Sequence, residues 1–157
     1  VGDYALFGGG LGTSGYSATV DAYNASLTRT TPTALSVGRS ELAATAVGNY
    51  ALFGGGGRSS MLDTVDVYDA NLTRSVPTGL SVARSQLAAT TIGNYAMFGG
   101  GVYTGSGSNA VDVYTVDAGD YATTVSRCTG LCPYHRNRRG GRGRLCRPEP
   151  FRYADFL

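Results

Sequence analysis

The sequence predicts an all-β fold assembled from about three copies of one four-stranded unit, and three observations carry that prediction. First, Gly48-Asn49-Tyr50-Ala51-Leu52-Phe53-Gly54-Gly55-Gly56 is preceded by Gly2-Asp3-Tyr4-Ala5-Leu6-Phe7-Gly8-Gly9-Gly10 and followed by Gly93-Asn94-Tyr95-Ala96-Met97-Phe98-Gly99-Gly100-Gly101. Tyr4, Tyr50 and Tyr95 are thus 46 and 45 residues apart. Second, the match reaches beyond the glycines. Arg39-Ser40 and Leu42-Ala43-Ala44-Thr45 return as Arg84-Ser85 and Leu87-Ala88-Ala89-Thr90, and Pro32 returns as Pro77. Val20-Asp21-Ala22-Tyr23, Val65-Asp66-Val67-Tyr68 and Val111-Asp112-Val113-Tyr114 form a further repeated block. Third, the repeated runs are short, rich in Val, Tyr, Phe and Thr, and broken by Gly and Pro, which suits strands and not helices. A period near 45 residues matches a propeller blade and is too long for leucine-rich or ankyrin units.

The second unit gives the elements in order. A first strand is expected from Leu42 to Val47 and a second from Asn49 to Phe53, with Gly48-Asn49 between them where a tight hairpin requires positive φ. The Gly54-Gly55-Gly56 run ends the second strand, where a missing Cβ lets the chain turn sharply or approach a neighbouring strand. If the φ of Gly54 is positive, alanine there is strained. A third strand runs from Thr64 to Tyr68, its alternation setting Val65 and Val67 on one face and Asp66 and Tyr68 on the other. A weaker fourth strand is expected from about Leu72 to Val76.

These residues resemble the kelch repeat. The resemblance rests on the glycine run after a hydrophobic strand (Phe53-Gly54-Gly55), on Tyr68-Asp69 about fourteen residues later, and on Pro77 and Arg84 before the next strand. It covers residues 1–126, divided as 1–36, 37–81 and 82–126. It implies a partial β-propeller of about three kelch-like four-stranded blades. The repeat-defining positions are then Gly8, Gly9 and Tyr23; Arg39, Tyr50, Phe53, Gly54, Gly55 and Tyr68; and Arg84, Tyr95, Phe98, Gly99, Gly100 and Tyr114. The tryptophan that kelch blades usually carry seven residues after the tyrosine is replaced here by Thr30 and Ser75. Propellers close with about four to eight blades. The chain is therefore expected to be a fragment of a larger propeller. The alternative is an open arc whose exposed blade edges invite self-association.

Composition breaks near residue 127. Residues 1–126 carry a net charge of −4, whereas 127–157 carry +6 and hold every cysteine and the single histidine. The tail, 127–157, is expected to be irregular or disordered. Three readings of it stand side by side. Cys128, Cys132, His135 and Cys146 make a Cys3His set chemically adequate for tetrahedral zinc, though the spacing matches no familiar zinc module. The Arg/Gly-rich stretch from His135 to Arg144 could attract RNA phosphates, but Tyr134 and Tyr153 make a poor stacking platform, so nucleic acid is not an expected partner. Finally, a one-nucleotide slip after about Leu131 would turn the Arg-rich stretch into an Ala/Thr/Gly continuation of the repeat, and Thr129-Gly130-Leu131 already matches Thr78-Gly79-Leu80. The tail is then out-of-frame translation.

Few positions suggest chemistry. Gly10-Leu11-Gly12-Thr13-Ser14-Gly15 fits G-x-G-x-x-G but is followed by strand-like Tyr16 to Val20 rather than the helix a dinucleotide site needs. The chain has no lysine, which excludes a P-loop. No apolar run is long enough to span a membrane. Asp21, Asp66 and Asp112 repeat with the units, as do Arg39 and Arg84, which argues for structural roles over a catalytic carboxylate pair. Asn24-Ala25-Ser26 and Asn71-Leu72-Thr73 fit the glycosylation pattern but read first as turns.

Ligand contacts are expected where the units differ, in residues 11–18, 57–63 and 102–109. There Tyr16, Arg58 and Tyr103 are the side chains suited to stacking on a sugar or a peptide. The resemblance implies a non-enzymatic scaffold without cofactor, binding a protein or glycan through these inter-strand loops. The second class is the propeller portion of a carbohydrate-active enzyme of the galactose oxidase kind. That chemistry needs His, Tyr and Cys copper ligands, and residues 1–126 contain neither His nor Cys.

Overall fold

The computed structural model describes residues 1–115 and 126–128, and these contain strands and turns but no helix. Three antiparallel sheets follow one plan. The first has the order β1 (Tyr4–Gly8), β4 (Val20–Asn24), β5 (Arg29–Thr30). The second has β6 (Ala43–Val47), β7 (Tyr50–Gly54), β8 (Val65–Tyr68), β9 (Arg74–Ser75). The third has β10 (Ala88–Ile92), β11 (Tyr95–Gly99), β14 (Val111–Thr115), β15 (Ser126–Cys128). Two small hairpins, β2 (Leu11–Gly12) with β3 (Gly15–Tyr16) and β12 (Val102–Tyr103) with β13 (Ser106–Gly107), leave the first and third sheets. None of the described sheets closes on itself.

The register is the same in every unit. Phe7 lies opposite Asp21, Phe53 opposite Asp66 and Phe98 opposite Asp112. Val47 pairs with Tyr50, so Gly48 and Asn49 form a two-residue turn. Only Gly48 of the two has positive φ, +53°, the pattern of a turn that reserves its first central position for glycine. The strands expected in the second unit appear within two residues of their predicted ends, and the fourth is the shortest, two residues in β9. Thr30 and Ser75 both lie exposed on these outer strands. Without a large apolar side chain there, the outer strand has little surface to bury and stops early.

Adjacent sheets pack face to face through two cores. Ala51, Phe53 and Tyr68 meet Leu6 and Val20 of the first sheet. Leu52, Val65 and Val67 meet Ala96, Phe98 and Tyr114 of the third, with Tyr50 packed at the edge. The expected alternation in β8 therefore holds, and this strand is buried on both faces. Each phenylalanine meets its own sheet's tyrosine edge-on: Phe53 and Tyr68 at 5.8 Å, Phe98 and Tyr114 at 5.8 Å, Phe7 and Tyr23 at 6.2 Å. At the inner edge β6 and β10 also touch. Thr91 Oγ1 lies 2.8 Å from Thr45 Oγ1 and donates to the Ala46 carbonyl at 2.7 Å.

The glycine runs divide two tasks between neighbouring residues. Gly54 is required by close approach and not by φ, because a Cβ there would sit 2.7 Å from the Phe98 ring. Gly8 makes the same allowance for Phe53, at 3.1 Å. The positive φ belongs to the next residue: Gly9 at +79°, Gly55 at +65° and Gly100 at +69°. A Cβ on Gly55 would also sit 2.7 Å from the Arg84 carbonyl oxygen. Gly55→Ala is expected to lower stability by about 1 to 3 kcal/mol from backbone strain alone. Gly54→Ala should also destabilise by displacing the Phe98 ring. Gly99→Ala should be near neutral, since among the described residues its Cβ would meet only Val111 Cγ2 at 3.6 Å. Thermal melts of the three variants check this order.

Candidate functional site

Two groups of residues compete for a functional role: the buried ion pairs that repeat with the units, and the loops that do not. The connecting segment 31–40 runs from the outer edge of the first sheet back to the inner edge of the second. It is held to the first sheet by backbone bonds from Leu35 to the Ala18 carbonyl, from Arg39 to the Ser17 carbonyl, and from Gly10 to the Arg39 carbonyl. Its side chains reach the second sheet instead. Arg39 Nη2 lies 2.9 Å from Asp66 Oδ2 and donates to the Phe53 carbonyl at 3.1 Å. Ser36 donates to Asp66 twice, through its amide and its hydroxyl, each at 3.0 Å. Arg74 approaches the same carboxylate at 3.5 Å.

The second connector repeats this bolt. Arg84 Nη2 meets Asp112 Oδ2 at 2.8 Å and the Phe98 carbonyl at 2.9 Å, while Ser81 donates to Asp112 through its amide and hydroxyl. Both arginines and both aspartates are buried. Tyr68 and Tyr114 complete the joints by donating their hydroxyls to the carbonyls of Thr33 and Thr78. Burial, reinforced by Asp66, pushes the Tyr68 phenol up to about 12. Ser36 and Ser81 were not singled out from sequence, although both follow the repeated Leu35 and Leu80. Asp21, in the first sheet, has a different partner, the exposed Arg29, at 2.7 Å. Asp66 and Asp112 are thus engaged inside the joints, whereas the Asp21 carboxylate is partly exposed.

The variable loops form a second, surface group. Each begins directly after the glycine run of its sheet, and each is closed by the same backbone bond: Ser17 to the Gly10 carbonyl, Leu62 to that of Gly56, Ser108 to that of Gly101. Residues 11–16 and 102–107 fold as the two small hairpins, and Gly57 bridges Met61 in the second loop. The G-x-G-x-x-G stretch is therefore a hairpin and leads into no helix. Tyr16, Arg58 and Tyr103 are all exposed. The two tyrosines do not occupy equivalent positions: Tyr16 pairs with Leu11, whereas Tyr103 pairs with Ser106. The structure thus brings the three loops to corresponding places on their sheets without showing one shared pocket. A cavity of about 390 Å³ lies between the first and second sheets, lined by Leu6 to Gly9, by Ser17 at the end of the first loop, by Thr19 and Asp21, and by Leu42, Ala44 and Phe53.

Among the described residues no group of three or more His, Cys, Asp or Glu could hold a metal. Of the zinc candidates, Cys128 ends β15, and Cys132, His135 and Cys146 lie outside the described residues, as do the Arg/Gly-rich stretch and the proposed frame slip. No described helix is long and apolar enough to cross a membrane.

No protein-family model matches the chain, and no curated protein matches it. Among solved structures 108 chains are similar. One is YjhT, similar with a TM-score of 0.67 at 18% sequence identity over 80% of this chain and 43% of that one. The chain thus spans less than half the length of that protein, and the likeness is one of fold.

Proposed function

We propose that the three sheets are successive blades of a kelch-like β-propeller and that the chain is a non-enzymatic scaffold binding a protein or glycan through the loops 11–18, 57–63 and 102–109. The observation that carries this reading is a division of labour. In the second and third units the recurring residues, Phe53, Asp66 and Tyr68 with Phe98, Asp112 and Tyr114, are spent in the joints between sheets, while the residues that differ are displayed from the same point of each sheet. Repetition with variation confined to one rim is how repeat scaffolds build binding surfaces. The absence of enzymatic function is supported by the engagement of Asp66 and Asp112 with serine and arginine donors, which leaves no free pair of converging acids in those joints.

Glycan and peptide arrays probed with the whole chain test the reading. A bound class should emerge whose affinity falls about tenfold or more, or about 1.4 kcal/mol, on Tyr16→Ala, Arg58→Ala or Tyr103→Ala. Binding left unaltered by all three changes would remove the loop assignment.

A further inference from the structure

Glycine supplies the left-handed backbone of the glycine runs, yet among the described residues Leu27, Glu41, Leu72, Gln86 and Thr104 also have positive φ. That region is strained for a side chain. Turns account for three of them. Leu27 and Leu72 donate their amides to the Asn24 and Asp69 carbonyls in the outer hairpin turns, and Thr104 lies between β12 and β13. Glu41, at +55°, and Gln86, at +56°, belong to no hairpin. They hold one position of the repeat, where the chain leaves Arg39-Ser40 or Arg84-Ser85 and enters the inner strand β6 or β10. Glycine would make this corner without strain, yet both units carry a long polar side chain there. The corner also lies at the root of a variable loop. Ser40 exchanges two backbone bonds with Gly57, at 3.0 and 2.9 Å, and Ser85 exchanges two with Val102, at 3.1 and 2.9 Å. The Gln86 amide donates to the Glu41 carbonyl at 2.9 Å, which makes the two residues neighbours in space. Both are exposed, and neither side chain has a hydrogen-bond or ion-pair partner among the described residues.

We infer that Glu41 and Gln86 are ligand contacts where the loops meet the inner strands, and that together they take adjacent hydroxyls of a glycan. The inference rests on the loop-rim reading above and adds two residues and a ligand class to it. Backbone strain that folding does not require concentrates at ligand-contacting positions. A carboxylate only accepts hydrogen bonds, whereas a carboxamide both donates and accepts, so the pair matches two neighbouring sugar hydroxyls, each able to do both. Charge favours a glycan over a peptide: in loops 57–63 and 102–109 only Arg58 and Asp63 are charged, which offers little to a charged chain.

The test applies the full chain to arrays of hexose, N-acetylhexosamine and uronic-acid oligosaccharides and of peptides, and takes the best-retained oligosaccharide as the probe for titration. Glu41→Gly and Gln86→Gly are each expected to weaken binding of that oligosaccharide about tenfold or more. Their melting temperatures should be no lower than the parent's, because glycine relieves the strained φ. Glu41→Gln, which keeps an acceptor oxygen, should lose less. Leu27→Gly relieves the same strain in an outer hairpin turn and should leave binding unchanged. Parental affinity in both Glu41→Gly and Gln86→Gly overturns the inference, while losses on changing Tyr16, Arg58 or Tyr103 would still uphold the loop reading. Weaker binding accompanied by a lowered melting temperature also overturns it, since the side chains would then be structural. Retention by peptides alone overturns the glycan assignment and leaves the scaffold standing. No retention on either array removes both readings.

Discussion

Replacing Asp66 with alanine is expected to lower the free energy of unfolding by about 3 to 5 kcal/mol, because it strands the buried Arg39 guanidinium with no counter-charge. Against a total stability of about 5 to 15 kcal/mol for a domain, that is a large share. The carboxylate does more than neutralise an arginine. It collects two bonds from Ser36 and one ion pair from Arg39, both residues of the connector that is also bonded to the first sheet's loop. Losing it releases the strap between two sheets. Replacing both partners, as Arg39→Met with Asp66→Leu, should cost much less than Asp66→Ala, since no buried charge is then left alone. Asp21→Ala supplies an internal control and should leave the melting temperature near the parent's, because its partner Arg29 is exposed. Urea titrations at neutral pH measure all three, and equal effects at Asp21 and Asp66 would remove the bolt from the account.

Phe98→Ala is expected to cost about 3 to 5 kcal/mol, the usual loss for a fully buried ring whose cavity cannot collapse. Here the ring fills the space that a Cβ on Gly54 would occupy, 2.7 Å from it, and Tyr114 stands edge-on at 5.8 Å. Phe7→Ala, at the same position of the first unit, should change little when measured in dilute solution, because that ring is largely in water already. The two residues share local sequence and the register to the following strand, and they differ in the neighbouring sheet and in the inner strand β10, which pairs with β11 and has no counterpart beside β1 among the described residues. Equal losses would mean that the ring acts within its own sheet and that the joints between sheets contribute little.

Much of this architecture was legible in the chain because the units repeat. Strand positions followed from period-two alternation in Val65-Asp66-Val67-Tyr68 and from the glycines that bound each run. The structural role of Asp66 and Asp112 followed from their recurrence. Their partners did not, since nothing local ties Asp66 to Arg39 across 27 residues. That pairing comes from the connector crossing between sheets. Gly54 was ambiguous for a related reason. A missing Cβ serves a positive φ and a close approach equally well, and only the position of Phe98 in the next sheet distinguishes them. The loop candidates were found as departures from the repeat. Their hairpin closure and the offset between Tyr16 and Tyr103 are three-dimensional facts that sequence variation does not encode.

The Phe-on-glycine joint bears on how such a chain can lengthen. Each unit carries the ring for the contact behind it and the glycine for the contact ahead. A tandem duplication of one unit at the gene level therefore arrives with both halves of a working contact already in place. No new interface has to evolve before the longer protein folds, and deletion of a unit rejoins its neighbours through the same two residues. Selection is then free to act on loop sequence alone, which fits the pattern of near-identical Tyr-Ala-Leu-Phe-Gly strands beside loops that share almost nothing.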